Sequence, residues 1–175
     1  NRMPLELALL PVVESAFIAQ ARSVAQAEGL WQFIVPTAQR FDLRRQMFQD
    51  DRLAVRPATV AAMRYLSELA QRYNGDYHLA LAAYNCGEGC VDRAIEKARR
   101  AGKPASFRHL ALPNETRRYV PQLLAIRAIV LNPQRFGVVL PPLANQPYFE
   151  SVKIPRDMDL HTAAQLADMA LEEFM

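Results

Sequence analysis

The chain has 175 residues, 51% of them hydrophobic and 22% charged, with a formal net charge of +3. That much apolar surface suits a single globular domain burying roughly 70% of what its unfolded chain exposes, and it excludes a disordered or low-complexity chain. No stretch reaches the ~20 consecutive apolar residues of a membrane-spanning helix, and the basic side chains come only in pairs such as Arg44-Arg45, Arg99-Arg100 and Arg117-Arg118, too diffuse for a nucleic-acid stripe.

The first residue, Asn1, is preceded by no initiator Met or basic leader, so any targeting segment is expected to have been removed or to lie outside the sequence. Leu5, Leu7, Leu9, Leu10, Val12, Val13 and Phe17 form an apolar segment expected to be a helix bent at Pro11. Pro57 fits a first helical turn, after which Val60, Met63, Leu66, Leu69 and Tyr73 recur at helical spacing as far as the Asn74-Gly75 stop. A short helix through Leu79, Leu81, Ala82 and Ala83 ends at Gly87. Another carries Val91, Ala94, Ile95 and Ala98 to Gly102, with Arg99 and Arg100 placed to complement its dipole. Asn114 is a candidate N-cap for a segment bearing Tyr119, Leu123, Leu124, Ile126, Ile129 and Val130, kinked at Pro121 and stopped near Asn132-Pro133.

After Gly137 the texture changes. Leu140-Pro141-Pro142 and Asn145-Gln146-Pro147 bracket a linker, Phe149, Val152 and Ile154 suggest a short extended piece, and a helix is expected from about His161. The expected organisation is therefore a body over residues 1–137 and an extension over 138–175, too short to fold alone. Cys86 and Cys90 stand four residues apart without the second ligand pair of a structural zinc site, and free, partly buried thiols are expected rather than a local disulfide. His78, His109 and His161 have no carboxylate or thiol at ligand spacing, so no metal or cofactor is indicated.

Four places are candidates for chemistry. Glu14 follows the apolar run Leu9-Leu10-Pro11-Val12-Val13. A carboxyl group projecting from a greasy helix is desolvated, which raises its pKa and suits a general acid; the alternative is a solvated helix face, as for Glu6. In Gly29-Leu30-Trp31-Gln32-Phe33, Trp31 either stacks on an apolar sugar face, with Gln32 bonding a hydroxyl or N-acetyl group, or belongs to the core. In Ala82-Ala83-Tyr84-Asn85-Cys86-Gly87-Glu88-Gly89, Asn85 is either a holder of a substrate amide or an ordinary helix cap. Tyr119, in Glu115-Thr116-Arg117-Arg118-Tyr119-Val120-Pro121, either donates to a carboxylate or is core.

Taken in order, Leu5 through Phe17, Ser23, Gly29-Leu30-Trp31-Gln32-Phe33, Ala83 through Gly89 and Tyr119-Val120-Pro121 resemble the signatures of the family 1 lytic murein transglycosylases, with an SLT-type domain and the pattern of the membrane-bound lytic murein transglycosylase D branch. The likeness runs over residues 3–136. It implies a mainly α, lysozyme-like fold of the goose-type lysozyme kind, with a short C-terminal α+β extension packed on the body or leading to a peptidoglycan-binding module. It also implies cleavage of the β-1,4 bond between N-acetylmuramic acid and N-acetylglucosamine without water, leaving a 1,6-anhydromuramic end.

By the same resemblance Glu14 is the catalytic carboxylate, Ser15 and Gln32 help hold the sugar, Asn85 orients it, Tyr119 bonds Glu14, and Tyr84 supports the cleft wall. The implied partners are peptidoglycan glycan strands, with LysM modules or a membrane anchor outside this sequence, and the implied setting is a monomer in the periplasm or cell envelope of a bacterium. Ile18-Ala19, Gln26, Glu28, Cys86 and Cys90 depart from the family pattern. Two alternatives follow. One is a hydrolytic muramidase with Glu28, Asp50 or Asp51 as a second carboxylate, and the other a catalytically silent glycan-binding module.

Overall fold

The computed structural model describes residues 3–47, 49–147 and 156–174, and the chain divides into two compact units, Asn1–Leu140 and Pro141–Met175. In the first unit a 3-10 turn over Leu5–Leu9 runs into α1 (Leu10–Ser15), followed by α2 (Val35–Arg40) and a minimal hairpin of β1 (Arg45–Gln46) and β2 (Gln49–Asp50). The strands are antiparallel, with Arg45 opposite Asp50. Four longer helices complete the unit: α3 (Val55–Arg72), α4 (Tyr77–Cys86), α5 (Glu88–Arg100) and α6 (Asn114–Leu131).

Helix α4 sits at the centre because its middle turns, Leu79 through Ala83, carry no polar side chain to turn outward. Leu79, Ala80, Leu81, Ala82 and Ala83 are all buried, and a helix apolar all round needs neighbours on every side. It packs on α3, α5 and α6, and its alanines let those backbones come close. Asp76 starts it by accepting the N–H groups of His78 and Leu79 at 2.9 and 3.1 Å. Gly87 ends it at φ 84°, ψ 151°, a conformation that glycine alone adopts readily.

The helical punctuation read from the sequence is largely realised, with specific differences. Pro57 lies in the first turn of α3, and Asn74 and Gly75 follow its end with φ 53° and 84°. The bend expected at Pro11 is a change of helix type, since the 3-10 turn gives way to α1 with Pro11 in the first turn. Asn114 is the first helical residue rather than the cap, a position taken by Pro113, and α6 continues through Pro121. Phe149, Val152 and Ile154 fall outside the described residues. In the second unit α7 (Leu160–Leu166) is capped by Asp159, whose carboxylate accepts the Thr162 N–H at 2.9 Å, and α8 (Leu171–Phe174) follows.

The expectation of free thiols is overturned: Cys86 and Cys90 form a disulfide. Gly87 breaks the helix between them, so Cys86 ends α4 and Cys90 lies in the first turn of α5. That placement leaves their Cα atoms 5.9 Å apart, within bridging range. A zinc-ligand count does not register such a break.

The segment joining α1 to α2 contains no helix, and Ala16, Phe17, Gln26 and Gln32 all hold positive φ there. Arg52 holds it together. Its side chain is buried and donates to the carbonyls of Gln26 and Phe33 at 3.0 and 3.2 Å, while pairing with Asp50 at 2.6 Å and Glu28 at 3.4 Å. Removing one partner of such a buried pair costs about 3–5 kcal/mol, because the other charge is left uncompensated. The backbone of Arg52 also presses on Gly29, where φ is 81° and an added Cβ would lie 1.9 Å from the Arg52 carbonyl oxygen. Gly75 has a similar φ, 84°, but open space at its Cβ. Gly75→Ala should therefore cost about 1 kcal/mol of left-handed strain, and Gly29→Ala about 1–3 kcal/mol more for the clash. Urea unfolding of the two variants checks this, with equal costs contradicting the close approach.

Candidate active site

Helix α1 ends at Ser15, and the left-handed residues Ala16 and Phe17 turn the chain away from it. Glu14 thus stands in the last turn of α1 and lines a cleft of about 670 Å³. Gln32 comes to that cleft from the loop ahead of α2, Tyr84 and Asn85 from the end of α4, and Glu115 and Tyr119 from the first turns of α6.

Side chains behind this surface fix it in place. Ser15 is buried, its hydroxyl 3.0 Å from the carbonyls of both Pro11 and Leu30, so it ties α1 to the loop. Trp31 is 3% exposed, and its indole N–H donates to the Thr59 hydroxyl at 2.9 Å. Neither Ser15 nor Trp31 is among the residues lining the cleft, and both are engaged in holding its wall. The Tyr84 hydroxyl donates to the Trp31 carbonyl at 2.9 Å, which makes Tyr84 a wall residue that still faces the cleft. The Gln32 amide donates to the carbonyls of Ala21 and Gly29 at 3.1 and 2.8 Å.

The Tyr119 hydroxyl donates to the Glu14 carboxyl. Burial pushes that carboxyl up from 4.5 to about 7; the Tyr119 hydrogen bond pulls the other way, and repulsion from Glu115 adds to the rise. Burial and the Glu14 charge push the Tyr119 and Tyr84 phenols well above 10, so both remain donors. Asn85 is oriented from α6, accepting from the Thr116 hydroxyl at 2.7 Å and donating to Glu115 at 3.2 Å.

Glu115, Thr116 and Glu88 are site residues that sequence reasoning did not single out. Glu115 lies one helical turn before Tyr119, and that i, i+4 spacing was the available signal. Glu88 lines the cleft, receiving hydrogen bonds from Arg40 at 2.6 Å and Tyr65 at 3.2 Å. Burial raises its pKa, but its own backbone N–H, Arg40 and Tyr65 outweigh that and leave it below the usual carboxylate range.

The carboxylates expected to serve a hydrolytic reaction lie elsewhere. Glu28 pairs with Arg22 and Arg52 at 3.5 and 3.4 Å, and Asp50 with Arg52 at 2.6 Å. Asp51 accepts from the Arg44 backbone N–H at 2.9 Å and the Gln49 amide at 2.8 Å. None of the three lines the cleft. Among the described residues no group of three or more His, Cys, Asp or Glu side chains is placed to hold a metal ion.

Comparison with known proteins places this arrangement. The chain is 40% identical over 170 residues to the membrane-bound lytic murein transglycosylase D of Escherichia coli (strain K12), which covers 97% of this chain and 37% of that protein. The protein of the same name from Escherichia coli O6:H1 matches to the same extent. The peptidoglycan transglycosylase gp16 of Escherichia phage T7 is 34% identical over 114 residues, covering 65% of this chain and 8% of the phage protein. The chain thus spans little more than a third of the length of its bacterial relatives. The pattern of the transglycosylase SLT domain matches residues 1–107, the span that carries Glu14, the Arg52-braced loop and the end of α4. With its mainly helical, lysozyme-like body, the chain belongs to the transglycosylase SLT domain family.

Proposed function

We propose that this protein is a peptidoglycan lytic transglycosylase, cleaving the β-1,4 bond between N-acetylmuramic acid and N-acetylglucosamine and leaving a 1,6-anhydromuramic end. The observation that carries the reading is Glu14, a cleft carboxyl that burial holds protonated near neutrality. The protonated group gives its proton to the departing glycosidic oxygen as positive charge develops at the anomeric carbon. The resulting carboxylate takes the proton of the muramic C6 hydroxyl, which attacks that carbon within the same sugar. The sugar supplies its own nucleophile, so no second carboxylate has to activate water. Gln32 from the loop ahead of α2 and Asn85 from the end of α4 hold the sugar, and Tyr119 sets the direction of the Glu14 carboxyl. The names of the relatives support this substrate class.

In this reading residues 1–137 form the catalytic body, and residues 138–175 a linker and extension that lead to a peptidoglycan-binding module. The enzyme works as a monomer on glycan strands in the bacterial envelope, on the periplasmic side, with LysM modules or an anchor supplied by other segments.

Digestion of purified sacculi tests the activity directly. Mass spectrometry should find anhydromuropeptides; products heavier by one water, with reducing ends, would replace the proposal with hydrolysis, and Glu115, which lines the same cleft, would become the first residue to examine. Glu14→Gln should lower kcat by about 10²–10⁴-fold while glycan binding persists, and near-normal turnover would remove Glu14 from its role.

The reaction needs Glu14 protonated, so kcat should fall as pH rises through about 7. The Tyr119 hydrogen bond lowers that pKa, so Tyr119→Phe should move the alkaline limb to higher pH. A shift to lower pH in the pH–rate profile would contradict the assignment. The same displacement acts on stability. A carboxyl whose folded pKa lies above its unfolded value stabilises the fold fully below about 4.5 and loses that contribution as pH rises to about 7. Glu14→Gln is not subject to this loss, so it should gain on the wild type by up to about 3 kcal/mol between pH 4 and pH 8 in denaturant titrations.

A further inference from the structure

We propose that the Cys86–Cys90 disulfide is a positioning device for the cleft, fixing the angle between α4 and α5 about Gly87 and thereby the placement of Asn85 and Glu88. The inference rests on the proposed function, because it concerns how that site binds its glycan. Asn85, Cys86, Gly87 and Glu88 are consecutive and all four line the cleft. Asn85 and Cys86 close α4, Glu88 opens α5, and Gly87 belongs to neither helix.

The hinge residue is held by backbone hydrogen bonds, its N–H donating to the Ala83 carbonyl at 2.8 Å and its carbonyl accepting from the Cys90 and Val91 N–H groups at 3.1 and 3.4 Å. At φ 84°, ψ 151° Gly87 uses glycine's own conformational range, and nothing lies within 4 Å of where its Cβ would be, so no neighbouring group wedges it. What the hinge joins is tied to different parts of the body. Asn85 is held from α6 by Thr116 and Glu115, and Glu88 is held by Arg40 of α2 and Tyr65 of α3. The bridge connects these two anchored ends directly across the hinge. Its sequence separation is four, and a disulfide constrains the unfolded chain less the shorter the loop it closes. Its main effect is therefore local, on the geometry of a surface that meets substrate.

Dithiothreitol supplies the test. It breaks the S–S bond, delivering two electrons and two protons to give two thiols, and leaves as its own cyclic disulfide. On soluble, uncross-linked glycan strands the reduced enzyme should show kcat/KM lowered about tenfold, the scale on which a small misplacement of a binding group acts. Reoxidation should restore it. The alkaline limb of the pH profile should stay where it is, because Glu14 is bonded from α6 and not from the hinge. The double variant Cys86→Ser/Cys90→Ser should match the reduced enzyme and ignore dithiothreitol. Equal kcat/KM for the oxidised and reduced forms, or a loss that merely tracks unfolding by circular dichroism at the assay temperature, overturns the proposal. Absence of anhydro products from the oxidised enzyme would instead overturn the proposed activity. The bridge is then judged by the Asn85 side-chain amide signals in NMR, which should move on reduction; unmoved signals overturn it.

Discussion

A carboxyl group at Glu14 leaves water when α1 packs against α6, and the tyrosine hydroxyl it meets there comes from 105 residues further along the chain. Two opposing effects act on it. Desolvation disfavours the carboxylate, and the hydrogen bond from Tyr119 favours it; desolvation is the larger, and Glu115 pushes the same way. A cation in place of Tyr119 would reverse the balance and leave an ionised group unable to donate a proton. The phenol, kept neutral by its own burial, orients the acid without discharging it.

Bringing α1 and α6 together depends on α4, which also carries Tyr84 and Asn85 to the cleft. The alanines of α4 allow close packing from several sides, and α6 lies against both α4 and α1. The loop between α1 and α2 contains no helix and holds several non-glycine residues at positive φ, each costing of order 1 kcal/mol. The buried guanidinium of Arg52, bonded to two carbonyls of that loop and paired with Glu28 and Asp50, offsets this cost. Glu28 is thus bound into the scaffold, even though its position beside Gly29 made it resemble a cleft carboxylate.

Much of this was legible in the sequence, for identifiable reasons. Helix stops at Asn74-Gly75 and Gly87 follow from backbone preferences that act locally, so they survive folding unchanged. Glu14 stood out because a lone carboxylate after five apolar residues is either desolvated or on the solvent face of its helix. The properties that were not legible depend on contacts between distant segments. Trp31 lies in a motif that reads as sugar-binding and Ser15 beside the candidate acid, yet whether either side chain faces the cleft is set by where Thr59 and Leu30 come to rest. Arg52 gave no signal at all, since an arginine two residues after an aspartate is ordinary on any surface. The cysteine spacing was visible, but its consequence depended on Gly87 ending one helix and starting another.

The two carboxyl groups with opposite displacements bound the acidity the molecule tolerates. Asp50 is held below the ordinary carboxylate range by its hydrogen bonds from Arg52, with burial acting against them, so its stabilising contribution is complete above about 4 and vanishes only as that low pKa is crossed. Acidification therefore leaves Arg52 without its principal counter-charge and slackens the loop it clamps, whereas alkalinity ionises the Glu14 carboxyl in the last turn of α1. Between these limits the Arg52 brace is intact while the Glu14 carboxyl still carries its proton.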